Sequence, residues 1–89
     1  MAWKVELAES AERELAGLDP QNQRRILSFL RERVAGRDDP RTIGQALHGP
    51  QLGEFSKYRV GDYLLLGKIE DDRKVVLILR IGHRKDIYR

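Results

Sequence analysis

The chain contains no cysteine, only two histidines, one tryptophan and one methionine among its 89 residues. Without thiols, a disulfide scaffold and a thiolate metal site are both excluded. His48 and His83 alone do not make a zinc site, which needs three or four ligands. Long hydrophobic runs are also missing. The longest aliphatic stretch, Val75 to Leu79, is far short of the roughly 20 apolar residues of a membrane helix. The N-terminal Met1-Ala2-Trp3-Lys4-Val5 lacks the apolar core of a signal peptide, so the chain is expected in the cytoplasm, with no membrane contact. There is no internal repeat, low-complexity tract or linker, and residues 1–89 are expected to form a single domain. A domain this small has too little interior for a buried cofactor, and none is expected.

What the chain does have is charge. Charged residues make up 35% of the sequence, and 17 basic against 14 acidic side chains give a net charge of +3. The excess is uneven. Residues 1–54 carry 8 basic and 9 acidic side chains, whereas residues 55–89 carry 9 and 5. A cationic C-terminal region on a small domain is the electrostatic footprint of a polyanionic partner.

The periodicity predicts an α+β domain. Trp3, Val5 and Leu7 alternate with Lys4 and Glu6, as in a strand. Ser10 is placed to cap a short helix that ends near Gly17, with Ala8, Ala11, Leu15 and Leu18 at helical spacing. Asp19-Pro20 reads as an N-cap followed by proline in the first turn, where its missing N–H does no harm. The second helix buries Ile26, Leu27, Phe29, Leu30 and Val34 and stops at Gly36, completing a helical hairpin. Residues 36–53 read as an irregular connection.

Strands are predicted at about 54–60, 63–69 and 74–81. Between the first two, Val60-Gly61-Asp62-Tyr63 suits a two-residue type II′ turn with glycine leading. That turn pairs Val60 with Tyr63 and Arg59 with Leu64. The last strand, Val75 to Ile81, is apolar on both faces until Arg80 and belongs inside the sheet. Val75, Leu77, Leu79 and Ile81 are expected to face the helices. The outcome is a small, mostly antiparallel sheet packed on an N-terminal helical hairpin, order β-α-α-β-β-β, with Lys57, Arg59 and Arg80 on the opposite face.

Two segments could carry chemistry. Lys57-Tyr58-Arg59 puts an ammonium and a guanidinium on one strand face, where they can grip phosphates or simply discourage edge pairing. The tail Gly82-His83-Arg84-Lys85-Asp86-Ile87-Tyr88-Arg89 joins an imidazole, a guanidinium and a phenol just after an internal strand. Those groups serve proton transfer, charge stabilisation and stacking on RNA bases. Glu70-Asp71-Asp72-Arg73 reads as a solvated hairpin loop, and His48 falls in a loop.

Taken together, Leu15-Ala16-Gly17-Leu18-Asp19-Pro20, Ala46-Leu47-His48-Gly49, Lys57-Tyr58-Arg59-Val60-Gly61-Asp62-Tyr63 and Ile81-Gly82-His83-Arg84-Lys85-Asp86-Ile87-Tyr88 resemble the RelE/ParE superfamily of type II toxin–antitoxin toxins. The resemblance spans almost the whole chain. It implies a RelE-like fold and a metal-independent, ribosome-dependent messenger-RNA endoribonuclease acting in the A site, silenced by a RelB-like antitoxin. DNA would be met only through that antitoxin. Carried over by position, Lys57, Arg59, Arg84 and Tyr88 are the implied catalytic residues, with His83 a further candidate for proton transfer and Arg80 and Lys85 implied contacts to substrate.

One position departs from the family pattern Gly-Asp-Tyr-Arg: this chain has Gly61-Asp62-Tyr63-Leu64. Three readings stay open, namely a nuclease that uses Arg80 instead, a ParE-like inhibitor of DNA gyrase, and an attenuated, non-catalytic toxin. Arginine at position 64 is expected to leave the fold undisturbed, on the reading that this strand position is exposed.

Overall fold

The structure, a computed structural model, describes residues 3–36, 39–47 and 55–87. Strand β1 (Lys4–Leu7) leads into α1 (Glu9–Ala16) and α2 (Pro20–Phe29), and α2 runs on through a π-helical turn, Leu30–Val34. A single 3₁₀ turn (Pro40–Thr42) and a two-residue strand β2 (Gln45–Ala46) follow. Three long strands, β3 (Phe55–Val60), β4 (Tyr63–Glu70) and β5 (Val75–His83), then lead into the short helix α3 (Arg84–Ile87). The five strands form one sheet in the order β1-β5-β4-β3-β2, in which β1 runs parallel to β5 and the other pairs are antiparallel.

The α1–α2 hairpin is closed by side chains as well as by packing. Asp19 takes the extended N-cap conformation with Pro20 in the first turn. Its carboxylate accepts from Asn22 Nδ2 at 2.6 Å and does not cap the backbone. Gln23 Nε2 donates to Leu18 O at 2.8 Å and Ala16 O at 3.3 Å, satisfying carbonyls left over where α1 ends. Ser10 is not a cap, since α1 starts one residue earlier with Ala8 as its N-cap. Its hydroxyl donates instead to Leu79 O at 2.6 Å.

That bond belongs to a larger arrangement. β1 pairs only with Val75–Ile78, so the rest of that β5 edge would present bare backbone groups. Helix α1 covers it: Ala8 N–H donates to Ile78 O, Ser10 to Leu79 O, and Ile81 N–H donates to Glu14 Oε1 at 2.8 Å. The first helix is thereby stitched to the strand that leads to the C-terminal site.

Trp3, Ala11, Leu15, Ile26, Leu30 and Val34 form the core against Tyr58, Val60, Leu65, Ile69, Val76, Ile78 and Ile81 of the sheet. On β5 the inward residues are thus Val76, Ile78 and Ile81, not the expected Val75, Leu77, Leu79 and Ile81. The cause is a β-bulge. Leu66 pairs with Arg80 but Gly67 pairs with Ile78, leaving Leu79 as the extra residue and reversing the alternation. Ile81 still enters the core, and Arg80 still emerges in register with Leu66 and Lys57 on the far face. Leu27 also departs from expectation, with 42% of its surface exposed on the outer side of α2.

Candidate active site

The β3–β4 turn organises the far end of the sheet. Gly61 has φ of 59°, in the left-handed region that a type II′ turn demands of its first central residue, and no other residue of the turn has positive φ. Val60 pairs with Tyr63 and Arg59 with Leu64, as the turn predicts. Both carbonyls of the turn are used. Arg59 Nε lies 3.4 Å from Gly61 O, and Arg84 N–H donates to Asp62 O at 2.9 Å. The second bond sets the start of α3 against the hairpin, bringing Arg84 to the face that carries Arg59.

Those residues line a cleft of about 320 Å³. One wall is Ile43, Gly44 and Gln45; the other is Lys57 and Arg59; Leu64 and Arg84 complete it. Gln45 is held opposite Lys57 by β2–β3 pairing. Gly44 is required for that wall, because a Cβ there would collide with Ser56 Oγ and lie 2.7 Å from Cε1 of the Tyr58 ring. The Tyr58 hydroxyl, in a fully buried side chain, donates to Pro40 O at 3.0 Å and pins the same segment from below. Burial, the largest influence on this phenol, raises its pKa and keeps it a neutral donor. At the outer end, Asp39 caps the 3₁₀ turn and Arg41 forms a forked pair with Asp71 at 2.7 and 3.1 Å. The hydrogen bond between them holds the Asp71 carboxyl below its ordinary pKa.

Three cations therefore converge on one cleft, and no described residue lining it is acidic. Among the described residues, neither Arg59 nor Arg84 pairs with a carboxylate. Leu64 is 5% exposed, so the expectation of an exposed position is corrected: its side chain is packed at the base of the cleft. An apolar base lowers the local dielectric and strengthens the attraction of the cations for an anion.

The other sequence-predicted residues lie elsewhere. Arg80 shares a row with Leu66 and Lys57, but its guanidinium is turned to α1 and held by Glu14 at 2.9 to 3.2 Å. Led by the hydrogen bond from Arg80, these contacts lower the Glu14 pKa. His83 stacks edge-on against Tyr63, ring centroids 5.4 Å apart, and its Nδ1 accepts the Lys85 N–H at 3.2 Å. Both Arg80 and His83 line a second, broader hollow of about 890 Å³, which shares Lys57 and Leu64 with the cleft and also carries Glu14 and Asp86. Lys85 is exposed on α3, while Tyr88 and His48 lie outside the described residues. No group of three or more described histidine, aspartate or glutamate side chains is disposed to hold a metal ion.

A family model, the ParE toxin of the type II toxin–antitoxin system parDE, matches residues 5–88. Toxin RelG of Mycobacterium tuberculosis is 38% identical over 91 residues, covering 100% of this chain and 99% of RelG. The chain belongs to the RelE/ParE superfamily of type II toxins. Solved RelE/ParE-type structures share its fold. In the RelBE2 toxin–antitoxin complex from M. tuberculosis, a chain 28% identical superposes with a TM-score of 0.83, covering 94% of this chain and 100% of that one. In the archaeal RelE–RelB complex from Pyrococcus horikoshii the values are 27%, 0.69, 94% and 97%.

Sequence reasoning missed Gln45, Gly44 and Ile43 as a wall of the toxin's cleft. A two-residue strand has no periodicity to detect, and its segment reads only as part of the irregular connection over residues 36–53. It also missed Glu14, which reads as one more carboxylate on the polar side of α1.

Proposed function

We propose that this toxin is an endoribonuclease that cuts messenger RNA in the ribosomal A site, in the cytoplasm, and so inhibits translation. The observation that carries the reading is the convergence of Lys57, Arg59 and Arg84 on a cleft without a described carboxylate. In the reaction, the ribose 2′-oxygen attacks the adjacent phosphorus, the O2′–P bond forms and the P–O5′ bond breaks. The 2′-hydroxyl gives up a proton, the departing 5′-oxygen takes one from solvent, and the products are a 2′,3′-cyclic phosphate and a 5′-hydroxyl. Arg59 and Arg84 neutralise the charge that builds on the pentavalent phosphate, work suited to guanidinium forks. Lys57 assists loss of the 2′-hydroxyl proton or shares the developing charge. Tyr88, from the family resemblance, orients or stacks a nucleotide. Arg80 and Lys85 contact the substrate further out, Arg80 only when it leaves Glu14, and His83 stands as a reserve proton carrier outside the cleft.

The partner is a RelB-like antitoxin. Support comes from the two solved relatives, each of which is a toxin–antitoxin complex. Contact with DNA would come through that antitoxin. The test is a translation reaction in which transcript ends are mapped with the wild-type chain and with Arg59→Ala and Arg84→Ala. Cuts at codon positions that vanish in both variants are expected, and cleavage undiminished in both contradicts the assignment.

A second reading is favoured by the matched family model, which is that of the ParE toxin. A ParE-like inhibitor of DNA gyrase needs the fold but no nuclease chemistry, and Leu64 fits that reading as it fits a non-catalytic toxin. Loss of gyrase supercoiling with transcripts intact would select it.

A further inference from the structure

The described arginines fall into two groups. Arg13 pairs with Glu9, Arg41 with Asp71, Arg73 with Glu70 and Glu6, and Arg80 with Glu14. Arg24, Arg25, Arg31, Arg33, Arg59 and Arg84 pair with no described carboxylate, and three of these six, Arg25, Arg59 and Arg84, meet at one place, the β3–β4 turn. Arg59 reaches the turn through Gly61 O, and the Arg84 backbone through Asp62 O. Arg25 reaches it from α2: a Cβ built on Gly61 would lie 3.1 Å from Arg25 Nη1 and 3.3 Å from Cζ. The guanidinium therefore rests on the bare flank of the glycine, where φ is 59° and a side chain would be both strained and in the way.

We propose that Arg25 is a phosphate-binding residue outside the cleft, which carries the cationic track of Arg59 and Arg84 around the Gly61 turn and grips single-stranded RNA beyond the cleaved phosphate. The inference rests on the cleft being an RNA site. Arg25 is exposed, adjoins another exposed arginine, Arg24, and keeps its guanidinium donors available for an anion. The arrangement gains the protein little in stability, since like charges at neighbouring surface positions repel. Phosphate contacts of this kind add affinity without sequence preference and make it depend on salt. The turn's own carboxylate, Asp62, is exposed and is the one charge of opposite sign on the turn itself.

The test is fluorescence anisotropy with the full chain and labelled, 2′-O-methylated oligoribonucleotides of two lengths, about 3 and about 9 nucleotides, the shorter filling the cleft alone. Arg25→Ala is expected to weaken the longer oligonucleotide about tenfold at low salt and the shorter by less than about twofold, and to reduce the salt slope by about 0.7, the loss of one phosphate contact on a single strand. Arg25→Lys should recover most of the slope. Arg31→Ala, which removes an exposed charge in the π-helical turn that continues α2, serves as control. Equal losses on both lengths, or the same loss from Arg31→Ala, overturn the proposal, the latter by showing only a general effect of net charge. Binding of both oligonucleotides that Arg25→Ala leaves unaltered overturns it while leaving the cleft reading standing. Absence of binding to either oligonucleotide overturns the proposal, while the cleft reading is decided separately by the transcript ends mapped on ribosomes.

Discussion

Glu14 of α1 grips the guanidinium of Arg80 on β5 while the same carboxylate accepts the backbone N–H of Ile81 at 2.8 Å. One side chain thus closes an open sheet edge and withholds a cation from the face that carries Lys57. Because the folded pKa of Glu14 is lowered, chiefly by Arg80, its contribution is complete above the unfolded carboxylate value of about 4.3 and is lost as pH falls through the folded value. Glu14→Gln should therefore lower the urea midpoint at pH 7, with the gap from wild type narrowing as the pH falls below the unfolded carboxylate value. A gap that persists unchanged in acid would show that charge at Glu14 is not what matters. Glu14→Ala, which leaves the Ile81 N–H without a partner, should cost about 1–3 kcal/mol.

Tyr58 reports on the wall of the cleft from the opposite side of the sheet. Tyr58→Phe keeps the packing but strands the Pro40 carbonyl, for an expected loss of about 1–2 kcal/mol in denaturant unfolding. The sign of the pH effect follows from burial. With the folded pKa raised, the phenol's contribution is intact below its unfolded value of about 10 and is lost as pH rises past it. The wild-type chain should lose its advantage over Tyr58→Phe in alkali.

Gly44→Ala should act on the same wall more severely, because the added methyl meets Ser56 and the Tyr58 ring. A cost of about 1–3 kcal/mol is expected from overpacking, together with weaker RNA binding as Gln45 is pushed from its place opposite Lys57. Unaltered thermal unfolding would mean that the segment is not seated as described.

Leu64→Arg separates stability from chemistry. The side chain is 5% exposed, so replacing it should lower stability by about 1–2 kcal/mol, part of the lost burial being recovered as arginine extends to solvent. The same change sets a guanidinium in register with Arg59 at the base of the cleft and should raise cleavage. A less stable but more active variant is the expected combination. A variant that is less stable and no more active would remove the idea of an attenuated nuclease.

Much of this architecture is legible in local chemistry. Val60-Gly61-Asp62-Tyr63 specifies its own register because only glycine is comfortable at the φ that the turn needs, and Asp19-Pro20 marks the second helix by the geometry of its first turn. Lys57, Arg59 and Arg84 stand out as cations at strand and tail positions, and the structure gathers all three. What stays hidden depends on partners distant in sequence. Val75 to Leu79 is uniformly apolar, so it carries no phase from which a bulge at Leu79 could be read. Arg80 looks like a substrate contact until Glu14, 66 residues earlier, is seen to hold it. Leu64 appears exposed by alternation alone, and its burial comes from the cleft's three-dimensional closure.

The claim at the centre of this account is that the cationic cleft promotes 2′-hydroxyl attack on the messenger backbone. Its most direct test is mass spectrometry of the new termini after wild-type chain acts on ribosomes stalled on a defined messenger. The account predicts fragments ending in a 2′,3′-cyclic phosphate, followed by fragments beginning with a 5′-hydroxyl, cut at the A-site codon. Intact messenger, or fragments that carry 5′-phosphates, would contradict it.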